Sequence, residues 1–168
     1  MPHPLVLALF DNAVSAAAAA RDLRALGISR ERVSIVARSH DEEGELAQAS
    51  GGSPGSEIED SARASRLGEL GAHLLAAIAV VMPGIGPIVA DGPLAAGLGE
   101  AAGHLAGGMA RTLEHAGLSR ADAEAWEAGI DRGGFLIGAH VTADGVEAAR
   151  GVMARAGASR TTVGVWQE

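Results

Sequence analysis

Two stretches far apart in the chain are written on one plan, and that repetition constrains the fold more than any other feature. Residues 5–37, LVLALFDNAVSAAAAARDLRALGISRERVSIVA, and residues 135–167, FLIGAHVTADGVEAARGVMARAGASRTTVGVWQ, align at one fixed offset. Gly27 falls on Gly157, Ser29 and Arg30 on Ser159 and Arg160, and Val33 and Ile35 on Val163 and Val165. Each stretch reads as an apolar run of strand length, an alanine-rich helical segment, a glycine where the helix closes, and a run of alternating apolar residues. Asp11, and Thr142 or Asp144, are the expected N-caps.

Two β-α-β units in one chain predict an α+β fold. The expectation is a ferredoxin-like split β-α-β sandwich with a four-stranded antiparallel sheet, built from residues 1–37 and 133–168. LVLALF and FLIGA, the more continuously apolar runs, are expected at its centre, with VSIVA and TVGVW at its edges. One difficulty follows from strand geometry. Leu5, Leu7 and Leu9 point to one side and Val6, Ala8 and Phe10 to the other, yet all six are apolar. The face without the crossover helices needs a cover, either another copy of the chain or the segment inserted between the two units.

That insertion changes character along its length. Residues 38–66 are acidic and rich in Ser and Gly, the composition of a flexible linker. Residues 67–132 read as a glycine-zipper helical hairpin plus a short helix. An apolar helix runs from Leu67 to Met82, PGIGP breaks it at 83–87, and Pro93 opens a second helix reaching about His115. Ser119 with Asp122 starts the short helix as a capping box, and Trp126 reads as its packing anchor.

Gly99, Gly103 and Gly107, extended by Ala95, form a small-residue ridge that Gly68, Ala72 and Ala76 match on the first helix. Glu69 and His73, and Glu100 and His104, each stand one residue beyond these ridges. An antiparallel hairpin turning near Gly86 and Pro87 brings the two pairs level. Two carboxylates and two imidazoles converging in this way would suit a divalent metal such as zinc, iron or manganese. The spacing is i, i+4, however, whereas the diiron signature is Glu-x-x-His at i, i+3. The same four residues also read as two Glu–His surface pairs worth about 0.2–0.5 kcal/mol each, or as a polar contact between subunits. His3, His40, His115 and His140 show no ligand spacing, and most of them read as surface residues.

Composition removes several function classes. A net charge of −8 and an isoelectric point near 5.2 oppose nucleic-acid binding, which begins with Lys and Arg on phosphate. The absence of cysteine excludes disulfides, thiolate nucleophiles and cysteine-held metals, and permits a reducing cytoplasm. The opening apolar run lacks the basic flank of a secretory signal. Without tyrosine, stacking platforms are scarce. There is no Gly-x-Ser-x-Gly elbow, no Walker loop and no His-Glu-x-x-His, and GLGEAAG at 97–103 lies inside a predicted helix rather than after a strand. An enzyme activity is not expected.

The stretches PGIGPIVADGPLAAGLGEAAGHLAGG (83–108), GLSRADAEAWEAGIDRGGFLIGAHV (117–141) and LALFDNAVSAAAAARDLRALGISRERVSIVAR (7–38) together resemble the bacterial general-stress, low-temperature-induced protein family. Members of that family carry a β-α-β start, a glycine-zipper hairpin and a closing β-α-β unit. The resemblance implies a stress-associated role and transfers no catalytic residue. The expectation is a cytoplasmic, non-enzymatic protein that forms homo-oligomers through the Gly/Ala-rich hairpin and the sheet face. Membrane association is the first alternative, although Pro83 and Pro87 divide the uncharged Leu74–Ala90 run into pieces shorter than the ~20 residues of a spanning helix. Metal binding at the Glu–His cluster is the second.

Overall fold

The computed structural model of the chain describes residues 1–38, 78–82, 86–103 and 108–167. In order these form β1 (His3–Phe10), α1 (Ala13–Ala25), β2 (Val33–Arg38), β3 (Ile78–Met82), β4 (Gly86–Asp91), α2 (Pro93–Gly103), α3 (Gly108–His115), α4 (Arg120–Asp131), β5 (Phe135–His140), α5 (Val146–Arg155) and β6 (Arg160–Trp166). The strands make one sheet in the order β3-β4-β2-β5-β1-β6, with every neighbouring pair antiparallel. The fold is α+β.

The two β-α-β units interleave. β5 lies between β1 and β2, and β1 lies between β5 and β6, so each crossover helix spans a strand of the other unit. Phe10 stands opposite Phe135 and Leu5 opposite His140, which puts the two most apolar strands side by side. Both crossover helices end alike. Gly27 N–H donates to the Arg24 carbonyl and Ile28 N–H to that of Leu23, and Gly157 and Ala158 repeat the pattern on Ala154 and Met153. α1 is capped by Asn12 rather than Asp11, its side chain accepting from the Ser15 N–H at 2.8 Å. The Ser119 cap of α4 is as expected, accepting from the Asp122 N–H at 3.1 Å and donating to that carboxylate at 2.7 Å.

The insertion departs from the expected helical hairpin. Residues 78–82, expected in a helix, are strand β3, and residues 86–91 are strand β4, so the sheet has six strands among the described residues instead of four. The physical reason lies in both sequence and context. Ile78, Val80, Val81, Ile88 and Val89 are β-branched, and β2 presents an edge whose backbone groups need partners. Pro87 is accommodated because, among the described residues, pairing of β4 with β2 reaches only as far as Ile88. The single helix expected from Pro93 to about His115 is two helices: α2 ends at Gly103 and α3 begins at Gly108, whose φ is 48°. The linker read over 38–66 lies outside the described residues except for Arg38, which ends β2.

Both faces are buried at the centre of the sheet, on β1, β2 and β5. Val6, Ala8 and Phe10 pack with Leu23, Val152 and Met153 of α1 and α5. Leu5, Leu7 and Leu9 pack with Leu94, Leu98, Met109, Leu113, Trp126 and Ile130 of α2, α3 and α4. The insertion is therefore the cover that the second face requires, and that face is not free for self-association. The three helices are also tied to one another and to the sheet. Ala110 N–H at the start of α3 donates to the Glu127 carboxylate of α4 at 2.7 Å, an anion at a helix N-terminus. Thr112 donates to the Gly97 carbonyl of α2 at 3.3 Å, and Arg38 donates to the Asp131 carbonyl at the end of α4 at 2.7 Å.

The turn between α3 and α4 rests directly on β6. A side chain at Gly164 would coincide with the Ala116 carbonyl oxygen, a backbone atom that cannot swing aside. Gly164→Ala is therefore expected to destabilise the protein by about 1–3 kcal/mol through overpacking. Gly151→Ala, on α5, would meet only the end of the Arg155 side chain and is expected to be neutral or stabilising by up to about 1 kcal/mol. Urea denaturation midpoints of the two variants check the contrast.

Candidate functional site

The described residues bring one polar group of side chains into the interior, where the N-terminus of α2 meets the end of β5. His140, the last residue of β5, is 2% exposed and Ser34 of β2 is fully buried. His140 stands opposite Leu5 on β1, and His3, two residues before Leu5, shares its face. His3 Nε2 is 2.9 Å from His140 Nδ1, and Ser34 Oγ is 3.3 Å from His140 Nε2. The Leu94 N–H, in the first turn of α2, donates to Ser34 Oγ at 3.1 Å. At the outer end His3 Nδ1 lies 3.2 Å from the Met1 carbonyl. Trp166 of β6 sets its ring edge-on to His140, with centroids 5.5 Å apart and planes at 88°.

These contacts define the proton positions when both rings are neutral. A carbonyl only accepts, so His3 Nδ1 carries the hydrogen and His3 Nε2 accepts. His140 Nδ1 then donates to His3, which leaves His140 Nε2 to accept from the Ser34 hydroxyl. Ser34 in turn accepts from the Leu94 N–H, one of the backbone donors that a helix N-terminus leaves without an intrahelical partner. The chain runs in one direction, from the helix to the surface.

A serine hydroxyl on an imidazole backed by a third group has the outline of a nucleophile and its base. Burial decides against that role. Ser34 has no exposed surface, its oxygen is engaged by α2, and the backbone at Gly92 packs against Val33 and Ser34 so tightly that even a Cβ there would collide with them. No substrate carbonyl could reach the oxygen. The group instead fastens the first turn of α2 to the sheet. Glu31 and Asp144 are the carboxyls held below their ordinary range among the described residues. Glu31 is held by its own backbone N–H and then the Ser29 hydroxyl, Asp144 by the Thr142 hydroxyl and then its own backbone N–H. Both are fully exposed turn residues, so neither is poised as a general acid.

Of the residues expected to form a metal cluster, Glu69, His73 and His104 lie outside the described residues, and Glu100 lies within α2. The helical hairpin that would bring the two pairs level is replaced over residues 78–82 and 86–91 by strands. Among the described residues no group of three or more His, Asp or Glu side chains could hold a metal ion. Most of the remaining histidines are expected at the surface, but His140 is buried, and His3 is half-buried beside it. The available signal was register. Once LVLALF and FLIGAH run antiparallel with Phe10 against Phe135, His140 arrives beside His3.

The fold defines the chain as an α+β protein whose antiparallel sheet is covered by helices on both faces. Compared with known proteins, the chain matches no family model, no curated protein and no solved structure.

Ser34→Ala leaves the Leu94 N–H and His140 Nε2 without this partner, at a cost of about 1–3 kcal/mol. Hydrogen exchange is expected to quicken more in the first turn of α2 than in α5. Long-range ¹H–¹⁵N spectra are expected to show neutral His140 with its hydrogen on Nδ1, and the Nε2–H form would contradict the chain of donors.

Proposed function

We propose that this protein is a non-enzymatic, stress-associated protein that works by self-association in the cytoplasm, on a split β-α-β core of the ferredoxin-like kind. The strand order β2-β5-β1-β6 with its two interleaved crossovers supports the core assignment. The stress association rests on the family resemblance of residues 7–38, 83–108 and 117–141. Ser34, the one hydroxyl set against a buried imidazole among the described residues, is sealed from substrate, which supports a role without catalysis.

The observation that carries self-association is the outer edge of β6. Among the described residues β6 ends the sheet, and Val163 and Val165 on it are 42% and 49% exposed. Natural edge strands are usually blunted by lysine, proline or a bulge. β6, RTTVGVW, has no proline, carries one charge, Arg160 at its start, and pairs with β1 in one register from Arg160 to Trp166. With helices on both sheet faces and strands over residues 78–82 and 86–91, the contact between copies moves from the expected hairpin and sheet face to this edge. A net charge of −8 disfavours nucleic acid as partner. No helix among the described residues is long and apolar enough to cross a membrane.

Static light scattering across the micromolar range tests the reading. A mass of two or more chains, rising with concentration, is the expected result. A mass of one chain throughout overturns it.

A further inference from the structure

We propose that β6 pairs antiparallel with β6 of a second copy in one register, with Val163 on the two-fold axis, so that two sheets join into one of twelve strands. This rests on the self-association reading above and names its surface, partner and geometry.

The backbone sets the register. The Pro4 carbonyl accepts from the Val141 N–H and so turns toward the β5 side. By strand alternation Leu5, Leu7 and Leu9 then turn their backbone groups toward β6, and their partners Gly164, Thr162 and Arg160 turn theirs toward β1. Thr161, Val163 and Val165 are left presenting N–H and C=O groups outward, and among the described residues no strand lies beyond them. This set is symmetric about its middle member. In an antiparallel pair centred on Val163 each copy's Val163 meets the other's, and Thr161 meets Val165, so all three outward residues of both copies find backbone partners at once.

The side chains agree with that register and favour a second copy over a foreign strand. On the face of α1 and α5, the exposed valines of the two copies cover one another. On the opposite face Arg160 comes directly across from Trp166 of the other copy, a cation beside an indole. Trp166 is already held in place by the edge-on contact with His140. Thr162 comes across from Gly164, whose side-chain position is taken by the Ala116 carbonyl of the turn between α3 and α4. Arg160 is the one charged residue in β6, and the two copies of it sit at opposite ends of the ladder, about 20 Å apart. The contact line thus avoids opposing like charges although each chain carries −8.

Single cysteines test the register in the full chain, which has no cysteine of its own. Only a residue on the axis meets its own copy, and directly opposed residues with Cα atoms about 5.5 Å apart suit a disulfide. Val163→Cys is expected to form a covalent dimer on mild oxidation, Thr161→Cys and Val165→Cys singly are not, and the Thr161→Cys/Val165→Cys double variant is. Val163→Lys sets two ammonium groups face to face and is expected to raise the dimer dissociation constant by about tenfold or more. Covalent dimers from Thr161→Cys alone would overturn the register. An uncrosslinked Val163→Cys protein that still scatters as a dimer would overturn the β6 interface while leaving self-association standing. A wild-type protein that scatters as a monomer would overturn both, and a foreign strand would then be the occupant to seek.

Discussion

The rest of the structure depends on the seating of α2, α3 and α4 against the face formed by Leu5, Leu7, Leu9, Val36 and Leu136. A sheet whose strands are apolar on both sides cannot stand half bare in water, since each exposed leucine forfeits about 1.5–3 kcal/mol relative to burial. The insertion is thus no appendage to a finished domain but its third layer. Closeness is what makes that layer effective. The Ala116 carbonyl reaches the backbone of β6 at Gly164, and Leu94 reaches β5 at Gly138, where a Cβ would lie 3.2 Å from its Cδ1.

The same contact explains the polar interior. Laying a helix end on an apolar sheet buries backbone N–H groups, and a buried donor without an acceptor costs more than the bond itself contributes. Ser34 supplies the acceptor, His140 receives the hydroxyl hydrogen, and His3 passes the chain outward. Serine and histidine in otherwise apolar strands are therefore a requirement of the layer above them. That role accounts for their burial without invoking catalysis.

How far the sequence revealed all this follows from the range of the forces involved. The paired β-α-β plan was legible because it is local: apolar runs, alanine helices and closing glycines recur at fixed spacing, and Ser119 with Asp122 caps α4 on the same local terms. Ile78–Met82 was misread because a five-residue apolar run has no period that separates strand from helix, and only the waiting edge of β2 decides between them. Of the four Glu and His residues that the zipper spacing singled out, only Glu100 falls within the described residues. The polar interior escaped for a different reason. His3, Ser34, Leu94 and His140 come from four separate elements, and nothing in a neighbourhood of ten residues announces that they meet.

Interleaving the two units has a cost in time. β1 is flanked by β5 and β6, both more than a hundred positions downstream, so the opening third of the chain has no way to complete its sheet when it first leaves the ribosome. Closing so long a loop is slow, and until it happens leucine-rich strands remain open to wrong partners. The last residues of the chain to be made are thus the ones that close its first strand on both sides.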